Sequence, residues 1–222
     1  IIVNEILFNP LSGGTDFVEL YNNSDKFMDL QDLRIANRDD SLQINDATEI
    51  CSEGYLMLPG DYAVLTTDAS AVQADYTCPY PGRFIPLPDM PSYPNDAGEV
   101  LLVTPNYNII DDVPYNDDMH FELLRSSDGV SLERIHFDRP SSEKSSWHSA
   151  AETAGFATPG YINSQYSESE KSDGKFSLSP EVFSPDNDGY NDQLEIHYKM
   201  DRPGYVLSIT IFDAKGRHIE TV

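Results

Sequence analysis

Residues 16–23, Asp-Phe-Val-Glu-Leu-Tyr-Asn-Asn, alternate in side-chain character. Val18 and Leu20 point one way, and Phe17, Glu19 and Tyr21 the other. A period of two predicts a strand with two different faces. Asn22-Asn23-Ser24-Asp25 then supplies turn chemistry. Upstream, residues 2–8 form a second apolar run, closed by Asn9-Pro10 and Ser12-Gly13-Gly14, so the chain opens as strand, loop, strand. Further strands are expected over 30–36, 41–44, 55–58 and 62–67, the last two flanking the tight turn Pro59-Gly60-Asp61. Asp68 is placed to cap a short helix over 69–75.

Residues 78–95 contain six prolines, which excludes a central strand or a helix. This stretch reads as a long ordered loop, either a crossover between two sheets or a binding surface. A hairpin over 99–104 and 108–113 turns at Pro105-Asn106, and a further strand over 131–137 follows Gly129. Trp147, the only tryptophan, is expected as a core or seam anchor. Residues 166–175 carry almost nothing apolar and read as a linker. Alternation restarts at Phe176, with strands expected over 194–198, 206–213 and 218–222. So few residues follow the linker that a closed sandwich is not expected there. The pattern predicts an all-β chain: a β-sandwich over 1–165, a linker, and a short, incomplete β module over 176–222.

Charge narrows the partners. The 222 residues carry 38 acidic and 14 basic side chains, a net charge of −24. Binding to nucleic acid or to an anionic membrane needs a basic face and is disfavoured, whereas divalent cations are favoured. No apolar run is long enough to span a membrane. The chain begins inside a strand pattern with no leader, which reads as a processed protein or an excised fragment. Two cysteines, Cys51 and Cys78, do not make a zinc motif. They are either a bridge formed in an oxidising compartment or two buried free thiols.

Three stretches taken together resemble a family. Ile2-Val3-Asn4-Glu5-Ile6 leads into residues 16–22; Gly129-Val130-Ser131-Leu132-Glu133-Arg134-Ile135 follows; then come Trp147, Thr158-Pro159-Gly160 and Asn163-Ser164. In this order they resemble the bacterial lamin-tail domain, an immunoglobulin-like β-sandwich of secreted and envelope proteins. Residues 183–192, Phe-Ser-Pro-Asp-Asn-Asp-Gly-Tyr-Asn-Asp, together with 209–217, resemble the start of the immunoglobulin-like module shared by flagellar hook-capping proteins and C-terminal parts of Bacteroidetes surface proteins. Neither resemblance implies a catalytic residue. Both imply display outside the cytoplasm, with a protein or glycan as partner.

Candidate chemistry is sparse. Asp186, Asp188 and Asp192 alternate with small or polar residues around Gly189, and Glu195 falls where an EF-type loop places its last ligand. Hard cations want several oxygens held together, so these four are the candidate calcium ligands; a self-bonded turn is the alternative. Asp111-Asp112 and Asp117-Asp118, with His120 nearby, form a second acidic cluster, expected as a solvated loop. Glu19 is expected as a framework carboxylate. No His-Glu-x-x-His, no Gly-x-Ser-x-Gly and no phosphate-cradling glycine loop occurs. The expected function is therefore non-catalytic: adhesion, spacing or substrate docking, alternatively as an accessory domain of a secreted hydrolase.

Overall fold

The computed structural model describes residues 1–39, 41–121, 124–166, 175–180, 182–184, 186, 188–200, 209–213 and 215–221. The chain divides into two compact units, Ile1–Ser167 and Glu168–Val222.

The first unit is a sandwich of two main sheets. One has six strands: β1 (Ile2–Leu7), β2 (Phe17–Tyr21), β7 (Tyr62–Thr66), β8 (Phe84–Pro86), β11 (Leu132–Arg134) and β12 (Trp147–Ser149), in the order β12-β11-β1-β2-β7-β8. The other has four: β4 (Arg34–Arg38), β5 (Ile44–Glu49), β9 (Ala97–Val103) and β10 (Ile109–Asn116), in the order β10-β9-β4-β5. A two-stranded ribbon, β3 (Met28–Asp29) with β6 (Leu56–Met57), lies beside them in sequence. The described pairings are antiparallel except β7 with β8. Val3, Ile6, Val18 and Leu20 meet Ile35, Val100, Leu102 and Val113 in the core between the sheets, and Trp147 joins them.

The two faces of β2 are both buried, for different reasons. Val18 and Leu20 enter the inter-sheet core. On the outer face Phe17 packs with Leu7, Val64, Val72, Tyr76, Phe84 and Ala157 in a second cluster. That cluster exists because helix α1 (Ala69–Asp75) and the segment after residue 155 cover the outer face. As the sequence predicts, Asp68 starts α1 by accepting hydrogen bonds from Ser70 N at 2.9 Å and Ala71 N at 3.1 Å.

Several expectations change. The strand expected over 41–44 is instead a turn closed on Asp39 Oδ1 by Ser41 N and Gln43 N, with β5 running on from Ile44, and the strand expected over 131–137 is only Leu132–Arg134. Residues 30–36 are not one strand: Leu30–Asp32 is a single 3₁₀ turn, capped by Asp29 Oδ1, which accepts from Gln31 N and Tyr55 N. That local bonding replaces the ladder, and β4 begins only at Arg34. The proline-rich stretch contains β8, a parallel edge strand; at the sheet edge the missing N–H of Pro86 costs little. Of the two readings open for Cys51 and Cys78 the structure has the free thiols, half-buried rather than fully buried. Cys51 packs against the inter-sheet core and Cys78 against the outer cluster, so the six-stranded sheet separates them.

In the second unit β13 (Lys175–Ser179) pairs with β14 (Glu195–Lys199), and β15 (Thr210–Phe212) with β16 (His218–Thr221). No apolar side chain among its described residues is buried: Phe176 is 53% and Ile219 57% exposed. Residues 167–174 of the expected linker and 206–208 of an expected strand lie outside the described residues.

Candidate functional site

The least ordinary chemistry in the chain is a row of carboxylates sealed on the outer face of the six-stranded sheet. Strand register creates it. Glu5 of β1 stands opposite Glu133 of β11 on one side and Glu19 of β2 on the other, so three adjacent strands present three glutamates side by side. All three are fully buried. A bulge between Val3 and Glu5 adds Asn4 to the same face, where its Nδ2 donates to Glu19 Oε1 at 2.8 Å and to Asn163 Oδ1 at 2.7 Å.

Residues 156–166 form a strap over this row and supply most of its donors. Thr158 N donates to Glu5 Oε1 at 2.8 Å, Gly160 N to Glu19 Oε2 at 2.5 Å, and Gln165 N to Glu133 Oε2 at 2.8 Å. Ser164 Oγ donates to Glu133 Oε2 at 2.8 Å, and Ser131 Oγ, from the residue before β11, donates to Glu5 Oε1 at 2.5 Å. Thr158 Oγ1 lies 2.7 Å from Glu133 Oε1 and 3.1 Å from Glu5 Oε2. A hydroxyl has one hydrogen. When it goes to Glu133, the contact with Glu5 is satisfied by a protonated Glu5 donating to the hydroxyl oxygen.

Burial is the main reason Glu5 and Glu19 hold protons. It pushes the Glu5 carboxyl up to about 8, and the neighbouring Glu133 charge adds to the effect, against the hydrogen bonds from Ser131 and Thr158. Glu19 is raised well above the usual carboxylate range by burial and then by the Glu5 charge. No cation neutralises the row among the described residues. Arg83 reaches the strap but donates to Gly160 O at 2.6 Å, with its guanidinium over the rings of Tyr62 and Tyr80. Arg134, next to Glu133, faces the opposite side of the sheet. There it donates to Val3 O and Arg139 O, contacts Asp111, and lies 4.8 Å from the Trp147 ring centre.

The second acidic cluster is therefore not simply a solvated loop. Asp111 is buried on β10, accepts from Val3 N at 2.7 Å, and meets Arg134 Nη2 at 3.4 Å. His120 is buried and burial lowers it to about 4; its Nδ1 contacts Ser149 Oγ at 3.0 Å. Asp117 and Asp118 lie in the 3₁₀ turn just before it and do not join it in a ligand cluster among the described residues. His148 is exposed, with Nδ1 2.9 Å from Ser149 O.

In the second unit, Asp186, Asp188 and Asp192 come together, with one carboxylate oxygen from each within 4.8 Å of the others. Glu195 is outside this group: it starts β14, opposite Ser179, and its carboxylate lies 3.2 Å from His197 Nε2. The turn also binds itself. Asp188 N donates to Asp186 Oδ1, Gly189 N to Asp192 Oδ2 at 2.8 Å, and Tyr190 N to Asp188 Oδ1 at 2.7 Å.

The lamin tail domain family matches residues 1–117, just over half of the chain. The chain belongs to that family. Searches among curated proteins and among solved structures gave no match. Lamin tail domains are generally non-catalytic, immunoglobulin-like modules, in keeping with the sandwich described above. The sandwich of this lamin tail domain runs past the matched residues: β11 and β12 complete its six-stranded sheet, and the strap closes its outer face. Of the residues in the row, Glu19 was singled out from alternation alone. Glu5, Glu133, Thr158, Gly160 and Asn163 all fall within the short motifs that carry the resemblance, which was the one signal in the sequence that could have found them.

Proposed function

We propose that this chain is a non-catalytic β-sandwich module of a larger surface or secreted protein, serving adhesion, spacing or substrate docking. The observation that carries this reading is the sealing of Glu5, Glu19 and Glu133. All three carboxyls are fully buried, Glu5 and Glu19 hold protons more tightly than an ordinary carboxylate, and the oxygens of the row face the strap, Asn4 and Ser131 rather than solvent. An accessory role beside a hydrolase domain elsewhere in the parent protein is the second reading; the neighbouring domains of that protein separate the two. The isolated chain is expected to show no turnover of phosphodiester, peptide or glycosidic substrates above a blank. Turnover lost on Glu19→Gln or His148→Ala would overturn the proposal.

The second unit is proposed as the start of an immunoglobulin-like C-terminal module, and its acidic turn as a calcium site formed by Asp186, Asp188 and Asp192. The support is the convergence of three carboxylates in a chain at −24. Calcium binding to the folded turn alone stabilises the second unit by mass action. Its unfolding midpoint is expected to rise with calcium and not with sodium at equal ionic strength, and Asp188→Ala to remove the rise. An unchanged midpoint on adding EDTA would leave a plain turn.

A further inference from the structure

We infer that residues 156–166 are a proton-locked strap: they close firmly over the six-stranded sheet while protons are held among Glu5, Glu19 and Glu133, and loosen as those protons are lost.

The geometry makes closure and protonation one event. The strap contributes Thr158 N, Thr158 Oγ1, Gly160 N, Ser164 Oγ and Gln165 N to the three carboxylates, while the strands contribute only Asn4 Nδ2 and Ser131 Oγ. With the strap in place all three carboxylates are fully buried. With it lifted Glu5 and Glu19 would meet water and ionise in the ordinary carboxylate range. Closing therefore buries three acids side by side with no neutralising cation among the described residues. Three negative charges in adjacent register positions repel strongly in such a site, and a shared proton removes that repulsion. The Thr158 hydroxyl, with one hydrogen between Glu5 and Glu133, needs a proton on one of them for both contacts to be hydrogen bonds. Linkage then sets the direction: the closed state binds more protons than the open one, so rising pH favours opening.

The other titratable groups around the row do not supply this behaviour. Tyr76 after α1, Tyr62 of β7 and Tyr161 of the strap are all raised by burial and stay neutral through pH 8.5. The Cys78 thiol is pushed up to about 11. Arg83 reaches the strap through Gly160 O and not through a carboxylate of the row. His148 of β12 stands opposite Glu133 in the register and is exposed, so it needs its own control. His136 lies against the strap as well, its ring centre 6.3 Å from that of Tyr166, and needs the same control. Two further contacts keep the strap in register. Asn163 Nδ2 donates to Asn4 O and Arg134 O, and Tyr166 stacks on Phe137, which stacks on Tyr21, at 4.3 and 4.0 Å between ring centres. The strap is also the last described part of the first unit.

The test is amide hydrogen exchange on the full chain between pH 6 and 8.5, corrected for the intrinsic rate. Thr158, Gly160 and Gln165 are expected to lose protection by about tenfold for each pH unit over which one proton is released. The amides of β9, in the middle of the other sheet, should keep theirs. Glu5→Gln and Glu19→Gln, each neutral and of nearly the same shape, should each weaken the pH dependence of strap protection, and the double variant should remove it, while His148→Gln and His136→Gln should each leave the dependence intact. Constant strap protection in the unmodified chain, a loss in step with β9, or abolition of the dependence by His148→Gln or His136→Gln would each overturn the inference. The unmodified chain decides the first two outcomes even if a glutamine variant fails to fold.

Discussion

Replacing Arg134 by methionine is expected to destabilise the first unit by about 3–5 kcal/mol, the usual cost of leaving one partner of a buried ion pair alone. Arg134 is the largest of the fully buried side chains. The register between β1 and β11 ends at Glu5 opposite Glu133, and beyond it the backbone of Val3 needs other partners on that side. Arg134 Nε donates to Val3 O at 2.8 Å and Asp111 Oδ2 accepts from Val3 N at 2.7 Å, so the pair continues the ladder with side chains and ties β10 of one sheet to β1 of the other. Nη1 reaches Arg139 O at 2.8 Å and Nη2 reaches Ser141 Oγ at 2.6 Å, while Ser141 Oγ in turn donates to Asp111. Burial lowers the Arg134 pKa and the Asp111 charge opposes that, leaving the guanidinium charged. Methionine fills similar volume but strands Asp111 and several donors' partners at once. Urea unfolding measures the loss. Asp111→Asn alone should cost less, because its amide still accepts from Val3 N, and the double variant should cost less than the sum. A loss below about 1 kcal/mol for Arg134→Met would mean the network is not stabilising the seam.

Stability of the first unit is expected to fall as pH rises from about 6.5 to 8, opposite to ordinary acid denaturation. Glu5 moves from an ordinary value of 4.5 to about 8 on folding. Between these values the folded state holds a proton that the unfolded chain has released, so stability is fully present below about pH 4.5 and is lost as pH climbs through 8. Asp16, pushed up to about 6 by burial, acts the same way at lower pH. His120 acts in reverse. Lowered from 6.5 to about 4, it makes the folded state lose stability as pH falls through that window, which offsets the gain from Glu5 and Asp16 there. Above about 6.5 His120 no longer contributes, and the carboxylates dominate. One proton changes stability by about 1.4 kcal/mol per pH unit, giving a drop on the order of 2 kcal/mol from pH 6.5 to 8. Glu5→Gln should reduce this drop, leaving the share of Glu19 and the opposite contribution of His120 in place.

Much of this architecture is legible in the sequence. Alternation at 16–23 places β2 and its two faces; Asp68 marks the start of α1; Trp147 is the seam anchor its isolation suggests. What alternation cannot show is what lies opposite what. Glu5, Glu19 and Glu133 are far apart in the chain, and only a register spanning three strands, with a bulge at Asn4, puts them side by side. Asp111 reads as one acid among several at 111–118 because its partner Arg134 sits on a strand of the other sheet. Likewise Pro86 hides β8, since a proline-rich stretch is a strand only where an edge tolerates it. The acidic turn was legible as a cluster of three, whereas Glu195 follows the pairing of β14 rather than the spacing of a loop.

The central claim is that the carboxylate row is a sealed, proton-holding part of the framework rather than an open reactive site. Carbon-13 NMR titration of the glutamate side-chain carboxyls reads this directly. The Glu5 carboxyl is expected to titrate near 8, with Glu19 also well above the ordinary range. If Glu5 and Glu19 instead titrate at about 4 to 5, as solvated glutamates do, the row is open to water and the account of a sealed framework is wrong.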